Sequence, residues 1–142
     1  MTKSKFVWES KVRDYELDSL GIVNNATFIN YLEQSRNDSV RALGIDFIEC
    51  HHAGYTLVVA GIDIRYLSSL RARNEFYVTA ELSSYNDKRV YFKQEIRFKE
   101  NDKLAAKALV HIACVDRKTG KSYIPDLLKN KLPADKYKRR DT

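Results

Sequence analysis

The sequence predicts an α+β domain in which one long helix packs on an antiparallel sheet. Three observations predict it. Residues 25–43 carry the chain's long helical periodicity. One period-two segment precedes that helix and four follow it. Polar turn signals, Asn86-Asp87-Lys88 and Glu100-Asn101-Asp102, separate the later segments as in a meander.

The first strand is expected over residues 5–14. Phe6, Trp8, Ser10 and Val12 share one face, and Glu9, Lys11 and Arg13 share the other. Leu17-Asp18-Ser19-Leu20-Gly21 then breaks the chain. In the helix, Asn30, Glu33, Gln34, Asn37, Asp38 and Arg41 form a polar face. Phe28, Leu32, Ser35, Ser39 and Leu43 lie opposite, and the small serines let the helix approach the sheet closely. Asn24 or Asn25 is the expected N-cap and Gly44 the expected stop.

Strands are expected next over residues 56–67, 75–83, 89–99 and 104–116. The first places Val58, Ala60, Ile62, Ile64 and Tyr66 on one side. The second has Phe76, Val78, Ala80 and Leu82 on one face. The third sets Val90, Phe92, Ile96 and Phe98 against Lys93, Glu95, Arg97 and Lys99, and the fourth is long and apolar. The domain is expected to occupy residues 1–128, with a basic tail over 129–142. The tail is expected to be dispensable for folding; the competing reading is a segment that begins at Tyr123, Ile124, Leu127 and Leu128, packs on the sheet and continues through Leu132 and Tyr137.

The chain has 142 residues, 44% hydrophobic and 31% charged, which fits one globular domain and argues against disorder. A deep private pocket is hard to build at this size; a pocket shared between subunits is easier. No run approaches the roughly 20 apolar residues of a membrane span. Nothing after Met1 reads as a secretory signal, and two cysteines, Cys50 and Cys114, fit a reducing, cytoplasmic compartment. Asn25-Ala26-Thr27 matches a glycosylation pattern and is read as chance. The net charge of +6 is concentrated in the tail, which fits a solvated terminus or attraction to a polyanion.

Chemistry-bearing candidates centre on residues 15–36. Asp18 lies in a Gly-containing loop, and the helix starts seven positions later. A helix start offers unpaired N–H groups and a partial positive charge, which stabilise an oxyanion. A carboxylate beside it attacks a carbonyl or activates water. The same residues also describe a loop Asp held by backbone N–H groups. His51 and His52 follow Cys50 with no further His or Cys cluster, so no zinc site is expected. His111 and Cys114 read as packed strand residues. No Gly-x-Ser-x-Gly elbow and no Gly-rich phosphate loop occurs.

The segment VRDYELDSLGIVNNATFINYLEQSR, residues 12–36, resembles the start of the 4-hydroxybenzoyl-CoA thioesterase-like hotdog enzymes. Their aromatic-x-x-Asp-x-x-Gly-x-Val-x-x-x-x-Tyr/Phe pattern falls on Tyr15, Asp18, Gly21, Val23 and Phe28. The Asn24-Asn25 pair is similar to plant acyl-lipid and methylketone-synthase-type thioesterases. Residues 64–71 resemble the family's strand-turn element. The resemblance implies a hotdog fold, a curved antiparallel sheet around one long helix, assembled as a homodimer or homotetramer with sites at a subunit interface. It implies hydrolysis of an acyl-CoA or acyl carrier protein thioester, with Asp18 as nucleophile or general base and the Asn25 N–H at the thioester oxygen. No metal and no redox cofactor enters. Tyr15, Gly21, Val23, Asn24 and Phe28 are the implied substrate-binding positions. Arg71, Lys88 and Arg89, in expected turns, are candidates for the phosphates of CoA or for an acidic carrier.

The sequence departs from the family at Asn25, where His or Tyr is frequent. It departs again at Ser69, usually Pro, and at Arg73-Asn74, usually Gly-Asp. Two rival readings are a non-catalytic acyl-binding hotdog protein and a nucleic-acid-binding module using the basic tail. The second lacks a recognisable motif, and no nucleic-acid partner is expected.

Overall fold

The computed structural model describes residues 5–139. Five strands form one antiparallel sheet: β1 (Lys5–Lys11), β2 (Tyr55–Tyr66), β3 (Glu75–Tyr85), β4 (Arg89–Phe98) and β5 (Leu104–Asp116). Their spatial order is β1-β3-β4-β5-β2, so β1 and β2 are the edges. Helix α1 (Asn25–Ala42) packs on β1, β3 and β4. Two shorter helices follow, α2 (Phe47–His52) and α3 (Asp126–Lys129).

The expected helix is present almost to the residue. Asn24 caps it, its Oδ1 accepting the Ala26 N–H at 2.8 Å. Gly44 ends it with a φ of +87°, a conformation that suits glycine. Phe28, Leu32, Ser35 and Ser39 are buried, as the periodicity requires. Ser35 Oγ donates to the Val78 carbonyl at 3.0 Å, which shows how closely α1 lies on β3. The sheet presents Phe76, Val78, Ala80, Leu82, Phe92, Ile96 and Val110 to the helix, all essentially inaccessible.

Two local features differ from the sequence expectation. The first strand stops at Lys11, and Asp14–Glu16 form a 3₁₀ turn. In β2, a bulge between Val59 and Gly61 changes the phase. The extra residue breaks the alternation, so Val58, Ala60, Ile62, Ile64 and Tyr66 do not share one face. Leu57 joins Ile62 and Ile64 against the core, while Val58 and Ala60 are exposed. The absence of a side chain at Gly61 lets the His111 ring lie against the strand, and a β-carbon there would push that ring aside.

Helix α2 was not expected. Asp46 starts it, its Oδ1 accepting the N–H groups of Ile48 and Glu49. His51 and His52 are exposed at its end, while Cys50 is buried.

The chain does not leave the body at residue 128. Ile124, Leu128 and Leu132 are buried. Tyr137 packs edge-on against Tyr85, and the Lys138 N–H donates to the Tyr85 carbonyl at 2.7 Å. Asp87 accepts from Lys129 Nζ at 2.6 Å and from the Tyr137 hydroxyl at 3.0 Å. Exposed ion pairs of this kind contribute little, so the apolar contacts hold the segment. Truncation after Leu128 is therefore expected to cost about 2–4 kcal/mol, from lost burial of Leu132 and uncovering of Tyr85. Urea unfolding of the truncated chain checks this; a loss below about 0.5 kcal/mol would show a surface tail.

Candidate active site

The loop that carries Asp18 is closed at both ends. Leu17 and Val23 form an isolated antiparallel bridge, and the Asn24 N–H donates to the Glu16 carbonyl at 3.2 Å. Within the loop, Asp18 N–H donates to the Ile22 carbonyl at 2.8 Å, and Gly21 N–H to the Asp18 carbonyl at 3.1 Å. This tight return needs a left-handed residue, and Gly21 supplies it with a φ of +78°. Asp18 therefore stands beside the start of α1.

Its side chain is half-buried. One oxygen, Oδ1, accepts the Leu20 N–H at 2.8 Å and the Ile22 N–H at 3.3 Å. The other takes no hydrogen bond among the described residues. The loop thus orients the carboxylate through one oxygen and leaves the second open. At the helix start, Ala26 N–H is taken by the Asn24 side chain, and Thr27 and Phe28 N–H by the Asn24 carbonyl. The Asn25 N–H has no acceptor among the described residues. An orientated carboxylate and an open helix-terminal donor are the parts that acyl transfer needs.

Apolar residues floor this corner. Val23 is 3% exposed and Phe28 2%. Tyr66, at the end of β2, packs against Phe28 with ring centroids 5.3 Å apart, and its hydroxyl donates to the Asn25 carbonyl at 3.1 Å. Tyr66 belongs to the corner although the sequence motif does not contain it. Glu16 was also missed. Its carboxylate is buried and accepts from the Tyr31 hydroxyl, the Arg13 N–H and Arg13 Nη2. Burial, reinforced by the Glu16 carboxylate, pushes the Tyr31 phenol well above the ordinary tyrosine range.

The other sequence candidates separate into two groups. Tyr15 is 76% exposed, with the Arg13 guanidinium over its ring, and lines an open depression on the β1 flank of α1 with Asn30 and Tyr31. Arg71 lies at the loop, because its backbone bridges Ile22. Lys88 and Arg89 do not join this corner within one chain. They sit in the turn at the far end of β3, about 30 Å away for a strand of this length. There Arg89 Nη1 donates to Ser122 Oγ and the Lys88 carbonyl. Among the described residues no group of three or more His, Cys, Asp or Glu side chains is placed to hold a metal. No helix among them is long and apolar enough to cross a membrane.

The sequence profile of the thioesterase-like superfamily matches residues 12–132. The chain belongs to that superfamily. It is 33% identical over 123 residues to the chloroplastic acyl-acyl carrier protein thioesterase ATL3 of Arabidopsis thaliana, across 87% of this chain and 65% of that protein. It thus spans less than two thirds of the length of that plant relative. It is 30% identical over 113 residues to the long-chain acyl-CoA thioesterase FadM of Escherichia coli, across 79% of this chain and 84% of that one. The probable thioesterase YbaW of Escherichia coli superposes with a TM-score of 0.77 at 29% identity, covering 89% of this chain and 95% of that chain. Slr0204, a 1,4-dihydroxy-2-naphthoyl-CoA thioesterase from Synechocystis, superposes with a TM-score of 0.81 at 17% identity, covering 89% and 94%. The fold is the hotdog fold, one long helix on a five-stranded antiparallel sheet.

Within this superfamily member, the departure at Arg73-Asn74 keeps the turn but strains it. Arg73 adopts a φ of +63°, where its β-carbon is crowded. Asn74 Oδ1 accepts the Arg71 N–H at 2.8 Å and holds the turn closed. Arg73→Gly is expected to stabilise the protein by about 1 kcal/mol, since relief of left-handed strain outweighs the added chain entropy. Thermal melts check it, and a destabilised variant would show that the Arg73 side chain matters more than its backbone.

Proposed function

We propose that this protein hydrolyses acyl thioesters, of CoA or of an acyl carrier protein, to a free acid and a thiol. The open Asn25 N–H beside the one-sidedly held Asp18 carboxylate is the observation that carries the reading. The activities named for ATL3, FadM and YbaW support it.

The thioester carbonyl oxygen accepts the Asn25 N–H, and the helix terminus favours the negative charge that develops there. Asp18 then acts in one of two ways. Its free oxygen attacks the carbonyl carbon, the thiolate leaves, and water hydrolyses the resulting anhydride. Otherwise it takes a proton from a water that attacks directly. Phe28, Val23 and Tyr66 keep the reacting group in an apolar corner, which strengthens both interactions.

The corner is shallow within one chain, and edge strand β2 beside it exposes Val58, Val59, Tyr66 and Leu67. A second copy paired along this edge deepens the pocket and covers apolar surface. Such a partner also supplies the basic turn Lys88-Arg89 that one chain holds too far from Asp18, so a phosphate-bearing arm meets cations from the other subunit.

Asp18→Asn is expected to fold normally and to lower kcat at least about a hundredfold on an acyl-CoA panel, the scale of a missing acid–base or nucleophilic group. Near-normal turnover in the folded variant would sink the mechanism. In solution the protein is expected to be a homodimer or homotetramer. Light scattering that finds an active monomer would contradict the shared pocket.

A further inference from the structure

One polar side chain in the interior is explained neither by folding nor by the Asp18 corner. Arg36 projects from α1 and is only 3% exposed. Its Nη1 donates to Gln94 Oε1 at 3.1 Å. No other hydrogen bond and no ion pair reaches its guanidinium among the described residues. Gln94 is itself committed, its Nε2 donating to the Leu32 and Thr79 carbonyls. Burial lowers the guanidinium's proton affinity, with only the field of Glu33 opposing. A buried cation with one neutral partner is costly and calls for an occupant on its open side.

That open side is a cavity of about 150 Å³ between α1, α2, β2 and β5. Glu33, Arg36 and Asn37 give it a polar wall, and Val40, Phe47, Leu57, Val59 and Ile112 give it an apolar one. Space of about this size admits a benzene-sized group.

The cavity and the Asp18 corner both border strand β2, the cavity through Leu57 and Val59 and the corner through Tyr66. Ile29, Glu33, Arg36 and Val40 recur at helical spacing along one flank of α1. Strand β2 runs beside that flank: Tyr66 touches Asn25 and Phe28 at one end, while Leu57 and Val59 border the cavity at the other. The helix rests on β1, β3 and β4, and β2 stands off from it. From Asn25 to Arg36 the axial rise is about 16 Å, the reach of a medium-length acyl chain.

We propose that this cavity receives the far end of the acyl chain, and that Arg36 selects chains carrying an uncharged oxygen there, a hydroxyl or a ketone. The oxygen accepts from the free guanidinium donors. A hydroxyl also donates to Glu33 or Asn37. A terminal carboxylate is disfavoured because Glu33 shares the wall. The position of the thioester rests on the proposed function above; the binding chemistry of the cavity does not.

The test is calorimetric binding of two free acids, ω-hydroxydodecanoic acid and dodecanoic acid, to the full chain. The hydroxy acid is expected to bind about tenfold tighter, the scale of one hydrogen bond to a charged group. Arg36→Met is expected to erase the difference. Should that variant fail to fold, Asn37→Trp, on the helix wall of the cavity and away from the β2 edge, fills the cavity and is expected to erase it too. Equal affinities in the unaltered protein overturn the proposal, as does a preference that survives in either folded variant. A protein that prefers the hydroxy acid but hydrolyses neither CoA ester supports the subsite and overturns the thioesterase reading.

Discussion

The buried carboxylate of Glu16 is the constraint on which the Asp18 corner depends. It is 9% exposed and gathers the Tyr31 hydroxyl, the Arg13 N–H and the Arg13 guanidinium. Through Tyr31 it fastens the 3₁₀ turn to α1, one and a half turns beyond the helix start. Through its backbone carbonyl, which accepts the Asn24 N–H, it fastens the same turn to the cap. Asp18 lies between these two attachments. A loop carboxylate holds a fixed position only with support from the residues around it. Glu16 supplies that support because its carboxylate is buried while Arg13 stays half-exposed, so losing the Tyr31 hydroxyl leaves a buried charge short of a donor.

The sheet order imposes the second constraint. With β2 at an edge, twelve residues of backbone are paired on one side only. A long edge with exposed valines is an aggregation liability unless it is covered. The bulge at Val59/Gly61 twists the strand, and it turns Val58 away from the inner face that Leu57 shares with Ile62 and Ile64. Edge, bulge and stand-off from α1 together leave the flank of the helix open. The Asn25 corner and the Arg36 cavity both border this edge strand, the corner through Tyr66 and the cavity through Leu57 and Val59.

The sequence was informative where chemistry is local. Asn24 or Asn25 as cap, the break over residues 17–21 and Gly44 as a stop are each decided within a few residues. The alternation of β3 and β4 reads cleanly because both strands are covered on one face. Legibility failed where the answer depends on register. Glu16 and Tyr31 are fifteen positions apart, and Arg36 and Gln94 fifty-eight. Neither pair shares a motif, so only the packed structure joins them. The bulge in β2 had a trace in Gly61, a glycine inside an apolar strand. Helix α2 had one in Asp46 followed three residues later by Glu49. Lys88 and Arg89 were grouped with Asp18 by charge alone. Counting strands places their turn at the opposite end of β3.

The polar residues on the inner face of α1 divide by cause. Ser35 and Ser39 are explained by size: a larger residue at either position would push the helix off β3 and β4, and Ser35 finds the Val78 carbonyl. Ser39 Oγ has no hydrogen-bond partner among the described residues, a modest cost accepted for close approach. Size does not explain Arg36. A leucine or methionine there would keep the aliphatic stem's contacts and remove a desolvated cation, and buried ion sites replaced by apolar residues of similar volume are often as stable or more so. Gln94 follows the same logic, since its place opposite Leu32 would suit an apolar residue. Gln94 lies under the helix on β4, and Arg36 reaches from it to the wall of the cavity beside β2. Polarity that stability does not require, placed where a ligand has room, is best accounted for by what the cavity holds.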